Sequence, residues 1–210
     1  MAIKIVALIQ CRLSSKRFPR KGMAKLAGQP VIEWVMNAAL SSKQTDSTAL
    51  TTSDGNDDNE LERFAHEKGW LCYRGPLRNV LKRMYSAAME YEADALVRLS
   101  GDSPLLDTNV IDQGVKLFRA NNYDIVTNTF PRTCPHGQSV EIISRQAMEI
   151  ALREVSKQSD KEHVTPYFYR TEKFRIKNYS SERYKNDKRN YCVDYESDIK
   201  VLEEKFLGFK

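Results

Sequence analysis

Along residues 3–128 the apolar positions fall into two rhythms that take turns. KIVALIQ (4–10), STALTTS (47–53), WLCYR (70–74), DALVRLS (94–100) and YDIVTN (123–128) are short β-branched or apolar runs that read as strands. Between them the period lengthens to that of a helix. Pro30 opens VIEWVMNAAL with Val31, Trp34, Val35 and Ala38 on one face; DDNELERFAHEKG has acids in its first turn, Leu61, Phe64 and Ala65 together, and Gly69 as its stop. NVLKRMYSAAMEY spaces Val80, Met84, Ala87 and Tyr91 helically, and residues 107–120 do the same with Val110, Ile111, Val115 and Leu117. Strands separated by helices of this length predict βαβ units, and therefore an α/β fold with a mostly parallel sheet flanked by helices.

Past residue 128 the rhythm breaks. FPRTCPHGQ is a Pro/Gly-rich loop, QSVEIIS a strand, and Arg145–Val155 and Lys161–Thr171 read as helices despite Pro166. KFRIKNYS and NYCVDY read as late strands around a polar stretch, and SDIKVLEEKFLGF as a terminal helix capped by Ser197. The expectation is one domain over 1–210 with an inserted or extended segment at 130–190.

Composition narrows the class. The chain has 210 residues, 41% hydrophobic and 29% charged, which suits a soluble domain with a real core. No run approaches the roughly 18 apolar residues of a membrane span, so no membrane partner is expected. Ile3–Ile9 is too short for a signal-peptide core and is followed by cations where a cleavage site belongs, so the expected location is cytoplasmic. The four cysteines have no metal-ligand spacing and suggest neither a zinc site nor a disulfide framework. Cys11 lies beside cations that favour a thiolate, but no neighbouring His supports a nucleophilic role.

Charge is where the pattern becomes unusual. Directly after the first strand come Arg12, Lys16, Arg17, Arg20 and Lys21. A net charge of +5 is too mild, and aromatic interleaving too sparse, for a nucleic-acid binder. Ligands of open parallel sheets collect at the carboxyl ends of strands. Three such ends carry candidate chemistry: the basic loop, SGDSP after Leu99, and VDYESD after Cys192. Cations at one end and carboxylates at the others suit a polyphosphate held with a divalent metal. The loop lacks GxxxxGK[ST] and GxGxxG, so it is neither a Walker loop nor a Rossmann turn, yet Ser14 and Ser15 offer hydroxyls and N–H groups to a phosphate.

IVALIQCRLSSKRFPRKGMAKLAGQPVIEWV resembles the signature of sugar-activating cytidylyltransferases, a group that includes CMP-Kdo synthetase, acylneuraminate cytidylyltransferase and the spore coat polysaccharide biosynthesis protein F type. The likeness to the last continues in order through TTSDGNDDNELERFAHEKG, YRGPLRNVLKRMYSAA, ALVRLSGDSPLLD, YDIVTNTFPRTCPHG, SVEI, KEHVTPYFYR and CVDYESD.

That resemblance implies a glycosyltransferase-A-like, nucleotide-diphospho-sugar transferase fold and transfer of CMP from CTP to a sugar, an acidic nonulosonate-type or related surface-polysaccharide sugar, with release of pyrophosphate. Arg12, Ser15, Arg17 and Lys21 match the triphosphate loop, with Arg12, Lys21 and Asp102 as the catalytic set. Asp102 and Asp194 match the Mg²⁺ ligands, and Arg74 and Ser100 fall where relatives contact the nucleoside. Asn128, Gln138, Glu141, His163 and Tyr167 fall in sugar-facing stretches, and Arg98 is expected to reach an acceptor carboxylate. His163 is equally open to a structural role, and Glu141 to pairing with a cation. The family further implies a homodimer joined through 130–190.

The chain departs from the family's pattern at Pro19-Arg20-Lys21, where PGK is usual, at Ser139, where Asp is frequent, and at Tyr195-Glu196, where Thr-Pro follows the late Asp. Another NTP with a neutral sugar or sugar phosphate, or a catalytically silent nucleotide-sugar-binding protein, are the alternatives.

Overall fold

The structure is a computed structural model that describes residues 3–207. The chain begins with β1 (Ile5–Gln10), a one-turn 3-10 helix at Lys21–Met23, and a two-residue hairpin, β2 (Lys25–Leu26) and β3 (Gln29–Pro30). Then come α1 (Val31–Leu40), β4 (Ser47–Ser53), α2 (Asn59–Glu67), β5 (Leu71–Gly75), α3 (Val80–Glu90), β6 (Ala95–Ser100), α4 (Thr108–Arg119) and β7 (Ile125–Thr127). The remainder forms β8 (Glu141–Ser144), α5 (Arg145–Glu154), α6 (Gln158–His163), α7 (Pro166–Arg170), β9 (Ile176–Asn178) and α8 (Ser197–Leu207).

Seven strands make one sheet in the order β5-β4-β1-β6-β8-β7-β9. β5, β4, β1 and β6 are mutually parallel, and β8 runs antiparallel between β6 and β7. Alternate residues of β1 enter opposite halves of the core. Ile5, Ala7 and Ile9 join Val35 of α1, Leu61 of α2 and Val115 of α4, whereas Val6 and Leu8 join Met84 of α3, Met148 of α5 and Phe168 of α7. Helices on both faces explain why β1 reads as an unbroken apolar run rather than an alternating one. Segment 130–190 contributes β8 and β9 to this same sheet.

Two predicted elements differ. The helix expected at Lys161–Thr171 is two short helices, α6 and α7, separated at Val164 and Thr165: Val164 takes a positive φ of 66°, and Pro166 starts α7. Proline has no N–H for the carbonyl four residues back, so a continuous helix is excluded there. The arm is pinned by Asp160, whose carboxylate takes both terminal nitrogens of Arg170. NYCVDY is no strand; it makes separate backbone bonds to two loops, from Tyr191 N–H to the His136 carbonyl and from Val193 N–H to the Asp102 carbonyl. Ser197 is the first residue of α8, while the Asp198 carboxylate accepts the N–H groups of Asp194 and Tyr195. The last residues of the predicted terminal helix, 208–209, lie outside the described residues. Among the described residues, no helix is long and apolar enough to cross a membrane.

Candidate active site

β1 and β6 are neighbours that end level with one another, with Gln10 opposite Ser100 and the Gly101 N–H bonded to the Gln10 carbonyl at 2.9 Å. From β1 the chain moves outward to β4 and β5, then returns to place β6 on the other side. The loops after β1 and β6 therefore flank a topological switch point, where open α/β sheets form their ligand crevice. A cleft of about 830 Å³ lies there.

The basic loop after β1 is shaped by its backbone. The Leu13 N–H donates to Oδ1 of the fully buried Asp58 at 2.7 Å, and the same carboxylate takes the N–H and hydroxyl of Ser53. The Arg20 N–H closes back on the Leu13 carbonyl at 2.9 Å, with Arg20 in the left-handed region at φ 61°. Gly22 follows because a Cβ there would lie 2.6 Å from the Cys11 sulfur. This close approach is what the glycine two positions after Arg20 permits. Cys11 itself is buried, and desolvation followed by the Asp102 and Asp58 charges pushes its thiol up to about 12. It is a packing residue, not a nucleophile.

The closed loop delivers Lys21 to the carboxylates. Its Nζ lies 2.7 Å from Asp102 Oδ2, 3.2 Å from Asp194 Oδ1 and 2.9 Å from the Val193 carbonyl. Three chain segments far apart in sequence thus meet at one ammonium. Burial lowers the pKa of Lys21, but Asp102 and Asp194 outweigh it and leave it above the ordinary lysine value. Asp194 also pairs with Arg17, whose guanidinium stands 5.5 Å from the centre of the Tyr195 ring. Tyr195, one of the departures from the family's pattern, thereby helps hold a cation of the loop.

Arg12, Ser14, Ser15, Arg17, Lys21, Ser100 and Asp102 all line the cleft. Asp194 reaches it through Lys21. Arg98 and His163 line a smaller pocket beside it.

Four expected contacts are instead committed to the framework. Arg74 gives Nε to the Ser53 carbonyl, Nη2 to the Gly55 carbonyl and Nη1 to Glu62, so it ties the end of β4 to α2 and does not line the cleft. Asn128 and Gln138 are fully buried; Asn128 bonds to the backbone of Gln138 and Val140, and Gln138 to that of Leu105 and Asp107. The Tyr167 hydroxyl donates to Glu154, and its ring packs on Phe168 and Phe174. Buried amides satisfied on both ends hold loops together and have little left for a ligand.

Glu141, on β8, lies opposite Arg98 on β6 and pairs with it, the cation-pairing alternative. Glu141 also takes the hydroxyls of Tyr169 and Thr129. Burial raises its pKa, but Arg98 and the Tyr169 hydroxyl outweigh that and hold it below the ordinary glutamate value. Arg98 further donates to the Gln10 side chain at 3.2 Å. The guanidinium expected to meet an acceptor carboxylate is therefore already neutralised inside the protein.

Lys16 of the basic loop faces the cleft as well, together with Gln10, Arg78, Gln158 and Glu162, which the sequence does not single out; Glu162 pairs with Arg12 at 3.2 Å. Lys16 and Arg78 have no ion-pair partner among the described residues, so they add free positive charge. Lys16 belongs to the contiguous basic loop, whereas Gln158 and Glu162 sit on α6, which only folding carries to the cleft.

A family model described as Cytidylyltransferase matches residues 6–205. The spore coat polysaccharide biosynthesis protein SpsF of Bacillus subtilis is 26% identical over 96% of this chain and 87% of its own. A solved cytidylyltransferase from Leptospira borgpetersenii superposes with a TM-score of 0.93, 29% identical, over 99% of this chain and 88% of that one. A CMP:2-keto-3-deoxy-manno-octonic acid synthetase complexed with CTP, only 14% identical, superposes with a TM-score of 0.76 over 99% of this chain and 100% of that one, and so shares the nucleotide-diphospho-sugar transferase fold. With the match running through nearly every element described above, the chain belongs to the cytidylyltransferase family.

Proposed function

We propose that the protein transfers CMP from CTP to a sugar, an acidic nonulosonate-type or related surface-polysaccharide sugar, and releases pyrophosphate. The observation that carries this reading is the meeting of Lys21, Asp102 and Asp194 at the switch point, beneath a loop bearing Arg12, Lys16 and Arg17. SpsF of Bacillus subtilis and the CTP-complexed synthetase supply the support for polysaccharide chemistry and for the nucleotide.

The sugar hydroxyl attacks the α-phosphate in line: its oxygen bonds to phosphorus as the bond to the bridging oxygen of pyrophosphate breaks, its proton passes to solvent or to the departing pyrophosphate, and that leaving group gains negative charge. Lys21, Arg17 and Arg12 face that charge from a preorganised loop, the kind of electrostatic stabilisation that lowers such barriers most. No general base is demanded of the chain beyond this positioning.

Asp102 and Asp194 are the residues that would hold Mg²⁺. Both reach the single Lys21 ammonium, so both can face one cation. No group of three or more metal-ligating side chains exists among the described residues, and Mg²⁺ does not need one, because it binds through one or two carboxylates with waters and substrate phosphates. Bound there, the ion supplies neutralisation of phosphate oxygens.

The test is pyrophosphate release across the four NTPs with Mg²⁺ and a panel of acidic and neutral sugars. Turnover with CTP and an acidic sugar is expected. Absence of both turnover and thermal stabilisation by every NTP overturns the reading. We also infer a cytoplasmic homodimer joined through 130–190, which a monomeric mass in solution would overturn.

A further inference from the structure

The buried face of α3 carries one charged residue. Arg83 falls three positions after Val80 and four before Ala87, on the apolar side, and is only 2% exposed. Its Nη1 donates to the Pro76 carbonyl at 3.0 Å, but Nε is buried without any hydrogen-bond partner. Arg12, Arg74 and Arg98 each pair with a glutamate, whereas Arg83 has no ion pair among the described residues. Its path is built in: a Cβ at Gly75 would sit 3.1 Å from the Arg83 Cγ.

Burying a guanidinium without a counter-charge is strongly unfavourable unless something supplies one. Here the environment worsens the deficit. Burial, then the nearby Arg12 charge, lowers the Arg83 pKa to about 10, with Asp58 and Asp54 opposing only from a distance. The group is still a cation at neutral pH. It lines a pocket of about 160 Å³ that shares Gln10, Arg12 and Glu162 with the large cleft and is completed by Arg98 and His163. Since Arg98 is neutralised by Glu141, the uncompensated positive charge of this pocket belongs to Arg83. Of the basic loop only Cys11 and Arg12 reach this pocket; Lys16, Arg17 and Lys21 line the cleft but not the pocket.

We propose that Arg83 forms an oxyanion subsite on the acceptor side of the cleft, taking a carboxylate or phosphate carried by the acceptor. Arg83, not Arg98, is then the residue that selects an acidic acceptor. This rests on the reading of the large cleft as the CTP site, where the α-phosphate is the other possible source of the oxyanion.

Inorganic phosphate is the probe, titrated by calorimetry into CTP-saturated protein without divalent metal, in wild type, Arg83→Gln and Arg83→Lys. Wild type and Arg83→Lys are expected to bind phosphate, and Arg83→Gln to lose on the order of tenfold in that affinity with CTP affinity unchanged within about twofold. Should CTP block phosphate and Arg83→Gln weaken CTP tenfold instead, the subsite serves the nucleotide and the acceptor assignment is overturned. Unchanged phosphate and CTP affinities overturn the subsite altogether. Melting in anion-free buffer is a second readout: relief of an uncompensated charge leaves Arg83→Gln no less stable than wild type, whereas a marked loss with phosphate binding intact identifies a purely structural arginine. If metal-free CTP fails to bind wild type, the same titration on nucleotide-free protein decides whether Arg83 binds anions, while the cytidylyltransferase reading is decided separately by pyrophosphate release with Mg²⁺.

Discussion

Two cation–carboxylate groups stand a few residues apart at the ends of β1, β6 and β8, and they are built oppositely. Arg98 and Glu141 face each other across a β-ladder, with Glu141 4% exposed and taking two further hydroxyls from Tyr169 and Thr129. Lys21 is shared by Asp102 and Asp194, which arrive on separate loops; all three side chains are partly exposed, and Lys21 and Asp102 line the cleft. Ladder register fixes the first pair and leaves no unused acceptor. Loop convergence assembles the second, and its ammonium and carboxylates are free to exchange partners with phosphate or a cation. The same chemistry is framework when satisfied in a sheet and a site when shared in a cleft.

Removing one member of each group separates them most sharply. Glu141→Ala leaves the half-buried Arg98 without its carboxylate and should destabilise the fold by about 3 kcal/mol in urea unfolding. An equally deleterious effect of Asp102→Ala on stability would erase the distinction. Lys21→Ala and Asp102→Ala should instead lower turnover on the order of a hundredfold, about 2.7 kcal/mol of barrier, with the melting transition little moved. Gly22→Ala probes the loop that carries Lys21: the new methyl meets the Cys11 sulfur, and overpacking of that kind costs about 1–3 kcal/mol, read by thermal melting.

Acid titration sharpens the contrast further. Glu141 has a folded pKa below the ordinary glutamate value of 4.5, so its contribution to stability is fully present above that value and is lost as pH falls through the lowered one. Glu141→Gln should flatten the stability profile on that acid limb; an unchanged slope would mean that the pair contributes nothing. The smallest effect is expected at Arg17, which is more than half exposed beside Asp194. Arg17→Ala should change stability by less than about 1 kcal/mol while raising the KM for CTP, and a stability loss larger than that would make it framework.

How much of this is legible in the chain depends on the range over which each feature is decided. β1, β4, β6 and the helices between them follow from local periodicity, because burial on a strand or a helix face imposes its spacing on the sequence. The basic loop is visible for the same reason: its residues are contiguous. Arg83 left a trace too, a cation on the apolar side of α3, but spacing alone cannot say whether such a residue is paired. Asn128, Gln138, Arg74 and Tyr167 sit in stretches that resemble substrate-facing segments, yet their polar atoms are consumed by backbone groups and side chains that only folding brings near.

By itself, then, the sequence determined the α/β class, the strand ends where chemistry collects, and the cations and carboxylates available there. Tertiary structure alone decided which of them meet. Lys21 finds Asp102 and Asp194 because β1 and β6 are neighbours at a switch point and the Cys192–Asp194 segment hangs from the Asp102 carbonyl, while Arg98 finds Glu141 because antiparallel β8 lies beside β6. Charge pairing acts over a few ångströms, and residues more than 40 or 80 positions apart reach that distance only through strand order.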